Sequence, residues 1–208
     1  MKEVFNYWMP SSDIHFSRLI QKQVNNGGLP QYQNDVRDEA YKYVVDFNLA
    51  IDVGANVGLW AKPLTEKFNS VIAFEPMNQV LECLKLNVKG LPVTIHEHAL
   101  GNVNSNIEMQ FNQVNTGASH VSNIGTGPIE IKKLDDLNLS KFGLLKVDCE
   151  RHDMQVLQGA EKTIMKYKPV IVVEQHPDTE YCAGEYLKSL GAIEMSNVRK
   201  DYIFAWKR

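Results

Sequence analysis

From residue 49 onward, short apolar runs alternate with stretches of helical period, and that alternation predicts strands and helices in turn. Leu49-Ala50-Ile51 reads as a first strand, followed by a glycine-bearing loop at 54–58 and a helix to about Phe68. Pro63 is tolerated there if the helix starts near Trp60, which places the proline in the first turn. Val71-Ile72-Ala73-Phe74 is too short for a helix and gives a second strand. A helix from Met77 to Lys89 stops at Gly90, ahead of Leu91-Pro92, and Val93 to His98 gives a third strand. The rhythm resumes at Leu144-Leu145-Lys146-Val147-Asp148, with a helix from about Met154 to Lys166 and a strand from Pro169 to Glu174. A helix near Glu180 to Leu190 and closing strands at Ala192 to Met195 and Tyr202 to Trp206 complete it. Strand, helix, strand is the unit of a parallel sheet, so the expected class is α/β, with a mostly parallel, doubly wound sheet and helices on both faces.

Two stretches fall outside this rhythm. Residues 1–47 read as an N-terminal helical extension: Ser12 or Asp13 caps a segment through Val24, which Asn26-Gly27-Gly28 and Pro30 stop. Val36, Ala40, Val44 and Phe47 mark a second helix over 35–46. The expected organisation is this extension and one catalytic domain over 48–208. Residues 101–127 are rich in Asn and Gly and alternate across Ile107 to Phe111, which predicts a hairpin or lip, either a fence for substrate or an ordinary connection.

Composition narrows the function classes. With 208 residues, 44% hydrophobic and 23% charged, the chain has enough residues for a full core and no disordered character. Its net charge of −3 lacks the basic excess that a phosphate backbone demands, so nucleic acid is not the expected partner. Cys83, Cys149 and Cys182 form no C-x-x-C pair, which speaks against a disulfide framework or a zinc site and for a reducing, cytoplasmic setting. The opening residues carry no apolar signal core and no run of 18 apolar residues occurs, so neither secretion nor membrane spanning is expected.

The candidate chemistry sits in Asp52-Val53-Gly54-Ala55-Asn56-Val57-Gly58, between the first strand and its helix. Gly54 and Gly58 let the backbone turn tightly and approach a ligand, and the helix start offers N–H groups to a carboxylate. Asp52 would repel phosphate and face an ammonium, which favours S-adenosylmethionine, a cation without phosphate, over a dinucleotide. Asn56 also replaces the middle glycine of a dinucleotide fingerprint. Glu75 ends the next strand, where a carboxylate accepts from both ribose hydroxyls of an adenosine cofactor.

These residues, together with Ala73-Phe74-Glu75-Pro76, Ala99-Leu100-Gly101-Asn102 and Leu145-Lys146-Val147-Asp148-Cys149-Glu150, resemble the FkbM-type methyltransferases in four ordered blocks. The resemblance spans roughly residues 46 to 206. It implies a Rossmann-like class I fold and a methyltransferase dependent on S-adenosylmethionine, acting on a hydroxyl of a small molecule or glycan. Carried over by position, Asp52, Gly54, Asn56 and Gly58 hold the methionyl part, Glu75 the ribose, and Ala99 and Leu100 the adenine edge. The family usually has glycine where this chain has Arg151, and that departure keeps a noncatalytic cofactor-binding or scaffold subunit as the alternative. An NAD-dependent oxidoreductase ranks below both, because Asp52 opposes pyrophosphate.

Methyl transfer from a sulfonium needs an aligned acceptor and a base for its proton. In parallel sheets such groups gather beyond the carboxyl ends of strands, where Asp148-Cys149-Glu150-Arg151-His152 lies. An extended chain past Asp148 would put Asp148, Glu150 and His152 on one side, the carboxylates positioning the acceptor and His152 serving as general base. His176, after the Glu174 strand, would face the same cleft. No dedicated metal-ligand spacing is evident, so no metal is assigned. Tyr7, Trp8 and Trp60 read first as core packing and second as aromatics closing over the cleft or binding a planar acceptor, and His96, His98 and His120 as structural or lip residues.

Overall fold

The computed structural model describes residues 1–207 except Gly27, Leu29 and 176–182. Its N-terminal part is not purely helical. Strands β1 (Lys2–Val4) and β2 (Tyr7–Met9) form a hairpin whose turn residues Phe5 and Asn6 both have positive φ, and helices α1 (His15–Asn25) and α2 (Asn34–Tyr41) follow. Three-residue strands are too short to show a period of two, which is why they escape a reading of periodicity. Helix α2 ends short of residue 46, as Lys42, Tyr43 and Val44 turn through i→i−3 bonds toward the first central strand. These N-terminal elements are not set apart from the rest. Tyr7, Met9, Phe16 and Ile20 pack with Val57, Leu59, Met77 and Val80, and Val36 and Ala40 join the core under the central sheet.

Along the chain come β3 (Leu49–Val53), the four-residue helix α3 (Ala61–Leu64), β4 (Ser70–Phe74), α4 (Asn78–Asn87) and β5 (Val93–His96). The expected helix to Phe68 is therefore one turn, with Pro63 inside it. Next are β6 (Ala99–Leu100), β7 (Ser105–Gln110), β8 (His120–Ile124) and β9 (Ile129–Lys132). They form a separate four-stranded sheet in the order β6-β9-β7-β8, so the anticipated hairpin is β7 with β8. The chain closes with β10 (Leu144–Val147), α5 (Asp153–Gln158), α6 (Glu161–Tyr167), β11 (Val170–Glu174), α7 (Ala183–Ser189), β12 (Ala192–Val198) and β13 (Asp201–Trp206). Helices α5 and α6 replace one predicted helix. The break falls at Gly159, where a Cβ would stand 1.9 Å from the carbonyl oxygen of Gly101, so the backbone there must pass close to another loop.

The central sheet runs β12-β13-β11-β10-β3-β4-β5. Strands β11, β10, β3, β4 and β5 are parallel, while β13 is antiparallel to β11 and to β12. Successive strand residues feed opposite faces, Ile51 and Val53 entering one core with Leu145, Leu157 and Phe204, and Ala50 the other with Val71, Leu64 and Leu84. All of β3 is buried, Asp52 included. Strand order reverses between β3 and β10, and the loops leaving these two strands open a cleft at the carboxyl edge of the sheet.

Candidate active site

That cleft is a cavity of about 920 Å³, open mouth included, bounded by Gly54, Ala55, Asn56, Glu75, Ala99, Leu100, Asp148, Glu150 and His152 among others. Its volume suits a cofactor with an acceptor. The two loops that build it nearly touch. Gly54 has φ +76, and a Cβ on it would lie 2.0 Å from the carbonyl oxygen of Asp148. Gly58 (φ +89) does not border the cavity. A Cβ there would meet only the tip of Leu84, Cδ1 at 2.9 Å, so the left-handed backbone itself is what calls for glycine.

Asp52 does not border the cavity either, which corrects the expectation that its carboxylate faces the ligand. It is fully buried beneath the loop, 3.2 Å from Lys146 Nζ. The same ammonium lies 3.7 Å from Asp148 and donates to the Gly54 carbonyl at 3.0 Å. Burial raises the Asp52 carboxyl, opposed by Lys146; burial also disfavours the Lys146 ammonium, but Asp52 and Asp148 outweigh that and hold the amine protonated. Asp52 is thus a counterion that anchors the loop. Sequence reasoning passed over Lys146, although a cation inside the apolar run Leu144-Leu145-Lys146-Val147 demands buried partners.

Glu75 lies at the end of β4, 5% exposed, and accepts from Asn56 N and Met77 N, both at 2.8 Å. Burial pushes its carboxyl up to about 7 against the pull of those N–H groups. Glu75 borders the cavity, where hydroxyl donors would compensate its lost hydration. Asn56 holds φ +50, its side-chain oxygen accepting from Val57 N at 2.8 Å. Ala99 and Leu100 form an apolar wall, joined by His98, for which the sequence suggests a structural or lip role. Trp60 is 2% exposed and donates to Gln33 Oε1 at 2.6 Å, packing as expected while also touching the cavity.

The chain does not stay extended past Asp148. Glu150 (φ +44) and Arg151 (φ +74) turn left-handed, so alternation does not arrange this loop. Such backbone favours glycine, and Arg151 adopts it at the strain that any residue with a Cβ carries there. The turn brings the carboxylates of Asp148, Glu150 and Glu174 within 4.8 Å of one another, a geometry that can share a proton or hold a divalent cation. Burial first, then the charges of Asp148 and Glu174, push Glu150 up to about 7. His152 is buried before α5, and burial alone drives its pKa down to about 4. It borders the cavity as a neutral imidazole, a weaker base than its ordinary value near neutrality would make it. His176 lies outside the described residues.

Walls that the sequence did not assign come from the lip and the N-terminal part: Met109, Phe111, Thr116 and Val121 on one side, Phe16 and Tyr32 on another. Phe16 and Tyr32 meet edge to face at 5.2 Å. The lip therefore fences the cavity.

The raised carboxyls set a pH dependence. Glu75, Glu150 and Asp201 all stand near 7 when folded, chiefly through burial, against ordinary values of about 4 when unfolded. The native state then binds more protons than the unfolded state above about pH 4, and stability falls as pH rises through 7. His152, lowered to about 4, acts with the opposite sign, but only below its ordinary 6.5. The melting temperature of the ligand-free protein should decline from pH 6.5 to 7.5, and Glu75→Gln should flatten that decline; a rising profile would contradict these assignments.

A doubly wound sheet in the order β5-β4-β3-β10-β11-β13-β12, with β13 running antiparallel between β11 and β12, defines the class I methyltransferase fold. The Methyltransferase FkbM domain matches residues 52–195, and the chain belongs to that family. It is 30% identical over 128 residues to the hexuronic acid methyltransferase AglP of Haloferax volcanii, covering 58% of this chain and 53% of that protein. The chain thus spans about half the length of this relative. The FkbM methyltransferase of Methylobacillus flagellatus superposes with TM-score 0.52 at 19% identity, over 78% of this chain and 44% of that one. The precorrin-8w decarboxylase of Methanobacterium thermoautotrophicum gives 0.53 at 15%, over 85% and 91%. Among the described residues no helix is long and apolar enough to cross a membrane.

Proposed function

We propose that this chain transfers the methyl group of S-adenosylmethionine to a hydroxyl of a sugar or small molecule. The observation that carries the reading is the shared cavity: the buried Glu75 carboxylate and the Gly54-Ala55-Asn56 turn face it from one loop pair, Asp148 and Glu150 from the other. Glu75 suits a ribose diol. Lys146 neutralises Asp52, so the cationic preference comes from Asp148 and Glu150, which favour a sulfonium and oppose a diphosphate. Gly54 and Asn56 would hold the methionyl end, and Ala99 and Leu100 the adenine.

When bound, the cofactor supplies an electrophilic methyl group. The protein's own residues do the remainder. Asp148 and Glu150 orient the acceptor hydroxyl, and Glu150, with a pKa near 7, takes its proton. Met109, Phe111 and Val121 keep water from that end. The hexuronic acid methyltransferase relative supports a sugar acceptor.

Calorimetry should show wild-type binding of S-adenosylmethionine, weakened about 100-fold in Glu75→Ala, which removes charge-assisted hydrogen bonds to two hydroxyls. Release of S-adenosylhomocysteine on addition of a hydroxylated acceptor completes the test. No heat with S-adenosylmethionine, and a melting shift with NAD instead, would overturn it.

A further inference from the structure

Asp13 lies outside the segment matched by the family, yet it is 0% exposed and bonded toward the cofactor loop. Its Oδ1 accepts from Phe16 N at 3.0 Å, at the start of α1. Its Oδ2 accepts from Thr116 N at 2.9 Å, in the lip. The Thr116 hydroxyl lies 2.9 Å from the same Oδ2 and 3.1 Å from Asn56 Oδ1, its one proton shared between two acceptors. Asn56 N in turn donates to Glu75 Oε2. A continuous polar chain therefore runs from the N-terminal part through the lip to the carboxylate assigned to ribose. Around it, Ile14 N and His15 N donate to Val114 O, and Gly117 stands so close to the Phe16 ring that a Cβ would come within 2.9 Å.

We propose that Asp13 and Thr116 are positioning residues for the cofactor loop: they hold Asn56 in its left-handed conformation and thereby aim its N–H at Glu75. A left-handed asparagine needs its side chain fixed to persist, and Val57 N alone supplies one contact. Thr116 supplies a second, from a residue itself pinned by a buried carboxylate. The lip and α1 then close over the cavity as one unit with the loop beneath them. The binding half of this proposal rests on the S-adenosylmethionine reading; the conformational half does not.

The test has two arms. Hydrogen exchange without ligand reads the peptide spanning residues 54–60, with the β11 peptide as a control for global loosening. In Thr116→Val, which keeps shape and backbone N–H, the loop peptide should exchange about tenfold faster, the loss of one buried hydrogen bond, with β11 unchanged. Asp13→Asn should do the same, and Thr116→Ser should restore wild-type protection. In the second arm the Kd for S-adenosylmethionine should rise about tenfold in Thr116→Val and recover in Thr116→Ser. Wild-type exchange at 54–60 in both Thr116→Val and Asp13→Asn, or equal acceleration in β11, overturns the proposal. Absence of binding by the wild-type protein overturns the cofactor reading and leaves the exchange arm to decide the latch.

Discussion

Replacing Lys146 with methionine should destabilise the protein by about 3–5 kcal/mol, the cost of leaving a buried charge without its partner. Methionine has nearly the same reach, so packing along β10 is kept and the loss isolates the charge. Asp52 would remain fully buried with no cation within reach, and the Gly54 carbonyl would lose its 3.0 Å donor. Adding Asp52→Asn to Lys146→Met should recover a large part of the deficit, since an amide is far cheaper to bury than a carboxylate. Urea titration of both variants measures the coupling. A single variant that unfolds outright leaves the double variant as the reading, and a single variant with wild-type midpoint would show that the pair carries no stability.

The Lys146 pair also marks where the sequence was legible and where it was not. The β-α alternation from Leu49 to His98, and again from Leu144 to Trp206, was legible because strands buried on both faces read as continuous apolar runs. The doubly wound sheet follows from it. The loop 54–58 and Glu75 were legible for a similar reason, as short-range signals of turn chemistry at the ends of recognisable strands. Contacts between distant segments were not. Nothing local in Asp52 tells whether its carboxylate faces a ligand or a lysine 94 positions away, and β3 had no room for a second solvent-facing side. Lys146 itself was the available clue, a lone cation inside an apolar strand. The β1-β2 hairpin was lost to brevity, and the broken α5-α6 helix to a close backbone approach at Gly159 that no periodicity reports.

The loop after β10 shows the same limit in its chemistry. Extended backbone would have set Asp148, Glu150 and His152 on one side; the positive φ values at Glu150 and Arg151 set them instead by a turn. The carboxylates still gather, with Glu174 and without any contribution from alternation. His152 is placed at the cavity but its pKa is lowered by burial, while that of Glu150 is raised to about 7, which is why the proposed base is Glu150.

Gly54→Ala should be as damaging as the loss of Lys146, for a geometric reason. Two costs arise, and they can be separated. The first is backbone strain at φ +76, about 1–2 kcal/mol for any residue with a Cβ. The second is collision, because the new methyl would lie 2.0 Å from the Asp148 carbonyl oxygen and 3.1 Å from its carbon, both backbone atoms that no side-chain rotation can move away. Relief requires the loops after β3 and β10 to part by roughly 1 Å, a misplacement on the order of that which costs a reacting pair 10²-fold. Gly90 supplies the reference: it has φ +79 and nothing within 4 Å of its would-be Cβ. Gly90→Ala should therefore report strain alone, and Gly54→Ala should exceed it by about 2–3 kcal/mol in urea titration, within the range of severe single substitutions. Binding of S-adenosylmethionine should be lost in Gly54→Ala and intact in Gly90→Ala. Equal destabilisation by the two would mean that the loops tolerate separation, and that contact between them is not what brings Glu75, Asp148 and Glu150 to one cavity.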